Sequence, residues 1–491
     1  MAGDTSKAAP GRRDRSGLTH PQMALYAAGT GGAHLLNTTV VTWIAYFYVA
    51  PEGSGRVPLV SLAAFTLAMT LGRIVDALVD LPVAYLSDRT PGRLGRRIPY
   101  ILFGGLPLIV IFVLLWTPPG SPGSTTNALW FALTINLFFI AFTAVFNPQG
   151  ALLPEIARTS RERVTVSTYN ATFTMLTAAV AMIAPGILVE RVGFTGMALV
   201  VGSLALVMTY CPVLVIRERP RTRDEVPKVT FAETLVMVFR NRPFLHYEFN
   251  MAAFYVGFNV LLAGVPFFVK VVLGQPEGLV GLYLGAHLAA AMAVFPFVGP
   301  LARRFGKRRL YLWGIGSIAL IAPLLFFVGK LPLPLSPGTQ ALILLTAAGL
   351  PLGVLYVLPG ALISDCVDYD EGRTGTRREA IYVGVQNILQ NAAVAVSTVT
   401  MMTVFNLFGF GASNPTGIYL LGPLAGLMFL VAFLIFRPYE LDEKRHPEWA
   451  ARRWQPPGPG DAPRRPRGTR PAARREGVSP VRPVGGPPLS S

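Results

Sequence analysis

The sequence predicts an all-α membrane protein: twelve transmembrane helices in two six-helix halves. Three observations predict it. The 491-residue chain is 52% hydrophobic and 14% charged, and the charge is missing from long blocks rather than thinned evenly. A soluble chain of this size carries about a quarter charged residues. Positive residues crowd into alternate connections between the apolar blocks, as in a chain that crosses a bilayer repeatedly. The basic turn that follows the second block recurs after the eighth.

In chain order, a polar tail over 1–21 carries Lys7, Arg12, Arg13 and Arg15. Apolar length then places helices near 22–50, 58–87, 98–117, 125–153, 164–189, 195–216, 243–272, 277–302, 308–329, 338–365, 379–409 and 416–436. Several are longer than a bilayer needs, which implies tilt or protrusion into water. One set of connections carries Arg89, Arg93, Arg96 and Arg97; Arg158, Arg161 and Arg163; Arg217 to Arg242; Arg303 to Arg309; and Arg373, Arg377 and Arg378. The other set holds mainly Arg56, Arg191 and Lys330. The positive-inside rule puts the first set and both termini in the cytoplasm, as an even helix number requires, so the expectation is a multi-pass protein of the cell's inner (plasma) membrane.

The net charge of +17 sits in connections and tails with no nucleic-acid motif, so no nucleic-acid partner is expected. Cys211 and Cys366 lie in or beside apolar blocks and read as packing groups. The polar N-terminus and the length of the first block argue against a cleavable signal peptide.

The longest internal connection, 217–242, divides a half over 22–216 from a half over 243–436. Within it, Val229–Phe239 reads either as an amphipathic helix on the membrane surface or as an ordinary connector. Gly95-Arg96-Arg97 and Gly306-Lys307-Arg308-Arg309 each join the second and third helix of their half. Parallel six-helix repeats are the architecture of the major facilitator superfamily, with the solute held between the halves. The Pro-, Gly- and Arg-rich 437–491 has no apolar periodicity and is expected to be a disordered cytoplasmic tail, solvated or brushing anionic head groups.

Asp76 and Asp80 lie four residues apart inside an apolar block, on one helix face. Each carboxylate at that depth costs roughly 2.5–3.5 kcal/mol on insertion scales, and two on one face repel. Such a pair persists where something cationic compensates it: Arg73 one turn earlier, a proton, or a metal ion such as sodium. It is therefore either a cation site or a static Arg–Asp lock between helices.

Two motifs resemble the glycoside–pentoside–hexuronide:cation symporters. The first is Asp76-Ala-Leu-Val-Asp80 with Ser87-Asp88-Arg89-Thr90 and Gly95-Arg96-Arg97-Ile-Pro99. The second is Ile363-Ser364-Asp365-Cys366-Val367-Asp368-Tyr369-Asp370-Glu371 with Thr374-Gly375-Thr376-Arg377-Arg378-Glu379. Pro148 and Pro154 fit as well, and the resemblance covers roughly 20–440. It implies that Asp76 and Asp80, with Thr143, hold a coupling sodium or proton. Oxygen ligands of that kind suit a hard cation. It also implies a cytoplasmic gate of Asp88, Arg89, Arg97, Asp365, Asp368 and Arg377, whose pairs make and break between states; a static surface network is the alternative. Where the family offers aspartates to a sugar, this chain has His34, and Phe146 beside Asn147. Gly150 replaces a stacking tryptophan, an arginine position falls near Tyr169-Asn170, and Asn391 replaces a lysine.

The remaining polar side chains at membrane depth are His34, Asn37, Asn147, Gln149, Asn170, Tyr356, Gln386 and Asn391, with Asn250 and Asn259. Amides suit a neutral, hydroxyl-rich solute through directional hydrogen bonds, although some will only hold helices together. Glu248 is expected too near its helix end to matter. The expectation is a monomeric, cation-coupled secondary transporter, working by alternating access on a small neutral solute such as a sugar or glycoside, with no cofactor beyond the coupling ion. The rivals are a carrier of lysophospholipid or another amphiphile, and a non-transporting membrane sensor. No nucleophile–base pair or phosphate loop suggests an enzyme.

Overall fold

A computed structural model describes residues 19–90, 94–156, 160–216, 239, 241–330, 332, 334–374 and 379–441. The connector 217–242 lies outside these residues apart from positions 239, 241 and 242, as do nearly all of both tails.

The described chain is helical. The first four helices are α1 (His20–Tyr48), α2 (Leu62–Arg89), α3 (Ile98–Leu114) and α4 (Thr125–Ala151). Next comes Ser160–Val215, whose backbone leaves helical geometry at Gly193 (φ 71°, ψ 179°) and so forms two arms, α5 (160–192) and α6 (194–215). The second half holds α7 (Arg242–Phe267), α8 (Val280–Phe305), α9 (Lys307–Ile321), α10 (Pro337–Thr374), α11 (Glu379–Phe408) and α12 (Thr416–Phe436). Among the described residues, nine helices are long and apolar enough to cross a membrane, counting the kinked α5–α6 run once; α3 is a shorter apolar helix.

Local chemistry sets the ends. Ser61 and Ser124 cap α2 and α4 by accepting from the backbone amides of Ala64 and Asn127, and Asn241 caps α7 through Phe244. Two apolar blocks stop short of their expected ends. After Pro266 the α7 helix widens into a π turn, Phe268–Val272, and after α9 the chain tightens into a 3-10 turn, Ala322–Phe327, with Pro323 in its first turn. Proline has no amide hydrogen to continue the α ladder. By contrast α10 runs past its apolar block, so the acidic stretch Asp365–Glu371 is helical.

The internal repeat is visible in the backbone. Gly95 and Gly306, at matching turns, both adopt left-handed φ values of 96° and 88°, a region that favours glycine. The packing repeats as well. α2 lies on α4 as α8 lies on α10, and α1 packs along the α5–α6 arms as α7 packs along α11 and α12.

The halves meet through α1 and α7, α2 and α11, and α5 and α8. Many of these contacts gather at the end opposite the Gly95 and Gly306 turns, here called the far end. There α5 touches α8 and the turn before it backbone to backbone: a Cβ on Gly281 would stand 2.5 Å from the Ile183 carbonyl oxygen, and one on Gly186 2.7 Å from that of Glu277. An aromatic core of Trp43, Tyr48, Trp116, Phe131 and Phe194 sits beside this seam.

Candidate functional site

The carboxylates of α2 face α4. The Thr143 hydroxyl donates to Asp76 Oδ1 at 2.7 Å, and the Asn147 amide donates to Asp80 Oδ1 at 2.9 Å. Each pair is separated by 67 residues in sequence. Two i,i+4 pairs therefore stand side by side on helices running in the same direction, and the result is a two-rung ladder. Asp76 is buried and Asp80 half-buried, so the ladder runs from a dry rung to a wetter one.

Arg73, also buried, places NH1 3.7 Å from Asp76 Oδ2 and stacks its guanidinium 4.3 Å from the Phe139 ring centroid. Its Nε and NH2 make no hydrogen bond among the described residues. The arginine therefore lends positive charge without the bidentate fork that would lock a carboxylate in place. Each carboxylate keeps an Oδ2 outside the ladder's hydrogen bonds. With the Thr143 hydroxyl and the Asn147 side-chain carbonyl, this gives an all-oxygen set of the kind a hard monovalent cation or a proton uses. Among the described residues no group of three or more His, Cys, Asp or Glu side chains is clustered as a divalent or transition-metal site would require.

The other expected residues divide. His34 is exposed and Asn37 half-buried on α1, and Asn391 is half-buried on α11; among the described residues none of the three makes a side-chain hydrogen bond, so all are available to a solute. Asn170 accepts from Thr30 Oγ1 at 3.4 Å, and the Tyr356 ring packs edge-on to Phe258. Gln386 is occupied: its amide donates to the Tyr247 hydroxyl at 3.1 Å, which in turn donates to the Pro359 carbonyl at 3.3 Å. Two more have close protein neighbours. Gln149 is 2% exposed here and lies against Gly29 of α1, with neither side-chain polar atom hydrogen-bonded among the described residues. Asn147 faces Asp80 rather than serving the solute alone. Asn250 holds helices together, donating to the Ala432 carbonyl at 2.7 Å and accepting from the Tyr311 hydroxyl at 2.6 Å.

Of the expected gate, Asp365 pairs with Lys307 at 2.6 Å, within its own half. Arg97 is buried and donates to the Ala151 carbonyl, also within its half. Asp368 is half-buried on α10. The side chains of Asp88 and Arg89, and all of Arg377, lie outside the described residues.

Sequence reasoning missed a polar closure at the far end. Glu277 accepts from the Tyr46 hydroxyl at 2.9 Å and pairs with Lys270 at 3.2 Å; Arg56 stands 3.8 Å away, its guanidinium between the Tyr46 and Phe194 rings. Glu190 accepts from the Gly278 amide at 3.0 Å. The Glu52 carbonyl accepts from the Ala412 amide at 3.0 Å and its carboxylate from Ser413. Each of the three glutamates thus reaches from one half to the other. The signal was the few charges on the sparsely charged side, with both signs present in each half. Inside this closure, Val41, Phe65, Met69, Asn259, Ser397 and Met401 line a cavity of about 20 Å³, room for roughly one water.

Comparison with known proteins places this geometry. The profile of a family described as MFS/sugar transport protein matches residues 25–441. The uncharacterized symporter YnaJ of Bacillus subtilis (strain 168) is 26% identical over 447 residues, covering 86% of this chain and 92% of its own. The isoprimeverose transporter of Lactiplantibacillus pentosus is 24% identical over 399 residues, covering 79% and 80%. Among solved structures, a point mutant of the nucleoside transporter NupG superposes with a TM-score of 0.61 at 11% identity, covering 85% of this chain and all of the other. The last likeness is one of fold.

Proposed function

The chain belongs to the MFS/sugar transport protein family, and on that premise we propose that it is a cation-coupled symporter of a small neutral solute, a sugar or glycoside. It is a multi-pass membrane transporter, not an enzyme. The proposal extends to twelve crossings, a monomer, both termini in the cytoplasm, and residence in the inner (plasma) membrane.

The observation that carries the coupling is the ladder of Asp76 with Thr143 and Asp80 with Asn147. Buried acidic side chains with polar but incomplete compensation are intramembrane groups of the kind that mark ion paths. A sodium ion or a proton on Asp76 and Asp80 would neutralise the face of α2 that turns toward α4. The loaded face then costs less to enclose than the bare one, which couples ion binding to the movement of the halves. With the far end closed as it is here, the solute would meet His34, Asn37, Asn170, Tyr356 and Asn391 from the basic, cytoplasmic end. Neutral donors and acceptors at these positions, and a sugar transporter among the relatives, support an uncharged polyhydroxyl cargo.

The test is counterflow in liposomes holding the purified protein, with labelled sugars and glycosides run against labelled lysophospholipids, each with and without a sodium or proton gradient. Sugar exchange that is stimulated by one cation, and loses that stimulation in Asp76→Asn, is the expected result. Lysolipid exchange replaces the cargo half of the proposal, and no movement of any solute under any gradient ends it.

A further inference from the structure

Glu248 stands apart from every other buried acid among the described residues. It lies on α7 and is fully buried, at 0% exposure. Among the described residues neither carboxylate oxygen has a hydrogen-bond partner. The other buried carboxylates among the described residues are Asp76, Asp365 and Asp370. Asp76 has Thr143 and Arg73, Asp365 has Lys307, and Asp370 has Tyr382.

Among the described residues no positively charged side chain pairs with Glu248. Tyr247 and Tyr255 of its own helix, Tyr311 of α9 and Cys366 of α10 are the titratable groups within electrostatic reach, and all four are neutral near pH 7. Tyr311 is committed to Asn250. From α11 the nearest titratable group is Tyr382, which accepts from the Asn241 amide at 3.0 Å. On α12 the one titratable residue is Tyr419, near its far-end start; just beyond the helix, Arg437 gives its carbonyl to Arg308, and Tyr439 bonds to Cys366 and Leu362. On the α1 side Tyr46 meets α7 at Phe267, on the far end. On α8, His287 bonds the Leu345 carbonyl at 2.8 Å, and Arg303 and Arg304 lie in the last turn.

An ionised carboxylate held dry and unpaired is far more costly than the neutral acid in the same place. The group therefore stays in this conformation as the acid. The groups around it also belong to parts that can move apart. Tyr247, the preceding residue, bridges α11 and α10 through Gln386 and Pro359, and Asn241 at the start of α7 holds the Cys366 carbonyl. A shift of α10 and α11 against α7 would break these bonds and admit water from the nearby basic end.

We propose that Glu248 is a proton-binding site of the second half: it holds a proton while the half is packed as seen here, and releases it to water when α10 and α11 part from α7. The site is separate from Asp76 and Asp80, and the proposal does not rest on either of them carrying the coupling ion.

The sign follows from which form is buried. The packed conformation has its full stability at low pH and loses it as pH rises through the point where Glu248 ionises, up to about tenfold in equilibrium constant for each further pH unit. The test uses the full-length purified protein, followed by infrared difference spectroscopy and thermal unfolding over a pH series. A protonated-carboxyl band should be present in the wild type, absent in Glu248→Gln and shifted in Glu248→Asp. It should fade as pH rises, with a parallel fall in thermal stability that Glu248→Gln does not show. The same band should persist in Asp76→Asn, which separates this site from the other. If Glu248→Gln does not fold, the shift in Glu248→Asp and the wild-type titration decide the matter. A band that never titrates before unfolding would make Glu248 a permanently neutral packing group and overturn the proposal. A wild-type stability profile retained by Glu248→Gln, or no band assignable to Glu248, would overturn it as well.

Discussion

Replacing Thr143 by valine keeps the shape of the side chain and removes one hydroxyl. That hydroxyl lies 2.7 Å from the carboxylate of Asp76, which is 5% exposed, so no water stands ready to take its place. A polar contact to a charged group is worth about 1.5–3 kcal/mol. If sodium is the ligand, losing that oxygen should weaken its affinity roughly 10- to 150-fold, at about 1.4 kcal/mol per tenfold. A proton would respond in the opposite sense and be held more tightly by the same factor, because the hydroxyl favours the carboxylate over the acid. Asn147→Ala removes a 2.9 Å contact to the half-buried Asp80. Solvent can replace that donor, so the change should be only about 0.5–1.5 kcal/mol, or roughly 2- to 10-fold. The assay is thermal stabilisation of the purified variants against sodium concentration and against pH, since a ligand that binds the folded state shifts unfolding by RT ln(1 + [L]/Kd). If Thr143→Val binds both ions as the wild type does, the Asp76 rung is not where the ion sits, and a larger effect of Asn147→Ala would move the ion to the Asp80 rung.

Three further outcomes are expected. Arg73→Met leaves Asp76 without its nearby cation and should lower stability by about 3–5 kcal/mol in denaturant unfolding; saturating sodium should restore part of the loss, whereas a static arginine lock would show no such rescue. Gly281→Val cannot make the close approach to Ile183, so a thiol placed at the buried Ser397 should become reactive to a water-soluble reagent from the far side, and protection equal to that of the Ser397→Cys parent would refute the seam. Tyr311→Phe leaves the Asn250 side-chain oxygen buried with no donor and should cost about 1–3 kcal/mol in thermal unfolding, with the sodium response unchanged.

Much of the scaffold could be read from the chain because a bilayer constrains sequence so strongly. Long apolar runs marked the helices, and the Gly95 and Gly306 turns marked the repeat; both glycines hold the left-handed backbone that such a turn needs. The spacing of Asp76 and Asp80 revealed half of the ladder, since residues four apart must share a helix face. The other half, Thr143 and Asn147, was not legible as a unit: nothing local in α4 says that it lies in register with α2. Gln149 shows that polarity alone does not distinguish an open cavity wall from a helix contact: its burial against Gly29, distant in sequence, is a matter of packing. The far-end closure was hidden for the same reason, as Glu52, Glu190 and Glu277 find partners only across the two halves. Glu248 was discounted for its place near a helix start, yet packing from α9 and α10 seals it completely.

The equal spacing of the two rungs also gives the pair of helices the property of a vernier. A slide of one turn, about 5.4 Å, carries Asp80 opposite Thr143, or Asp76 opposite Asn147, according to its direction. One rung is then still made and only one acid is left unmatched. α2 and α4 thus have a second register that keeps half of their polar match, and a positive charge arriving at the unmatched acid would decide between the two.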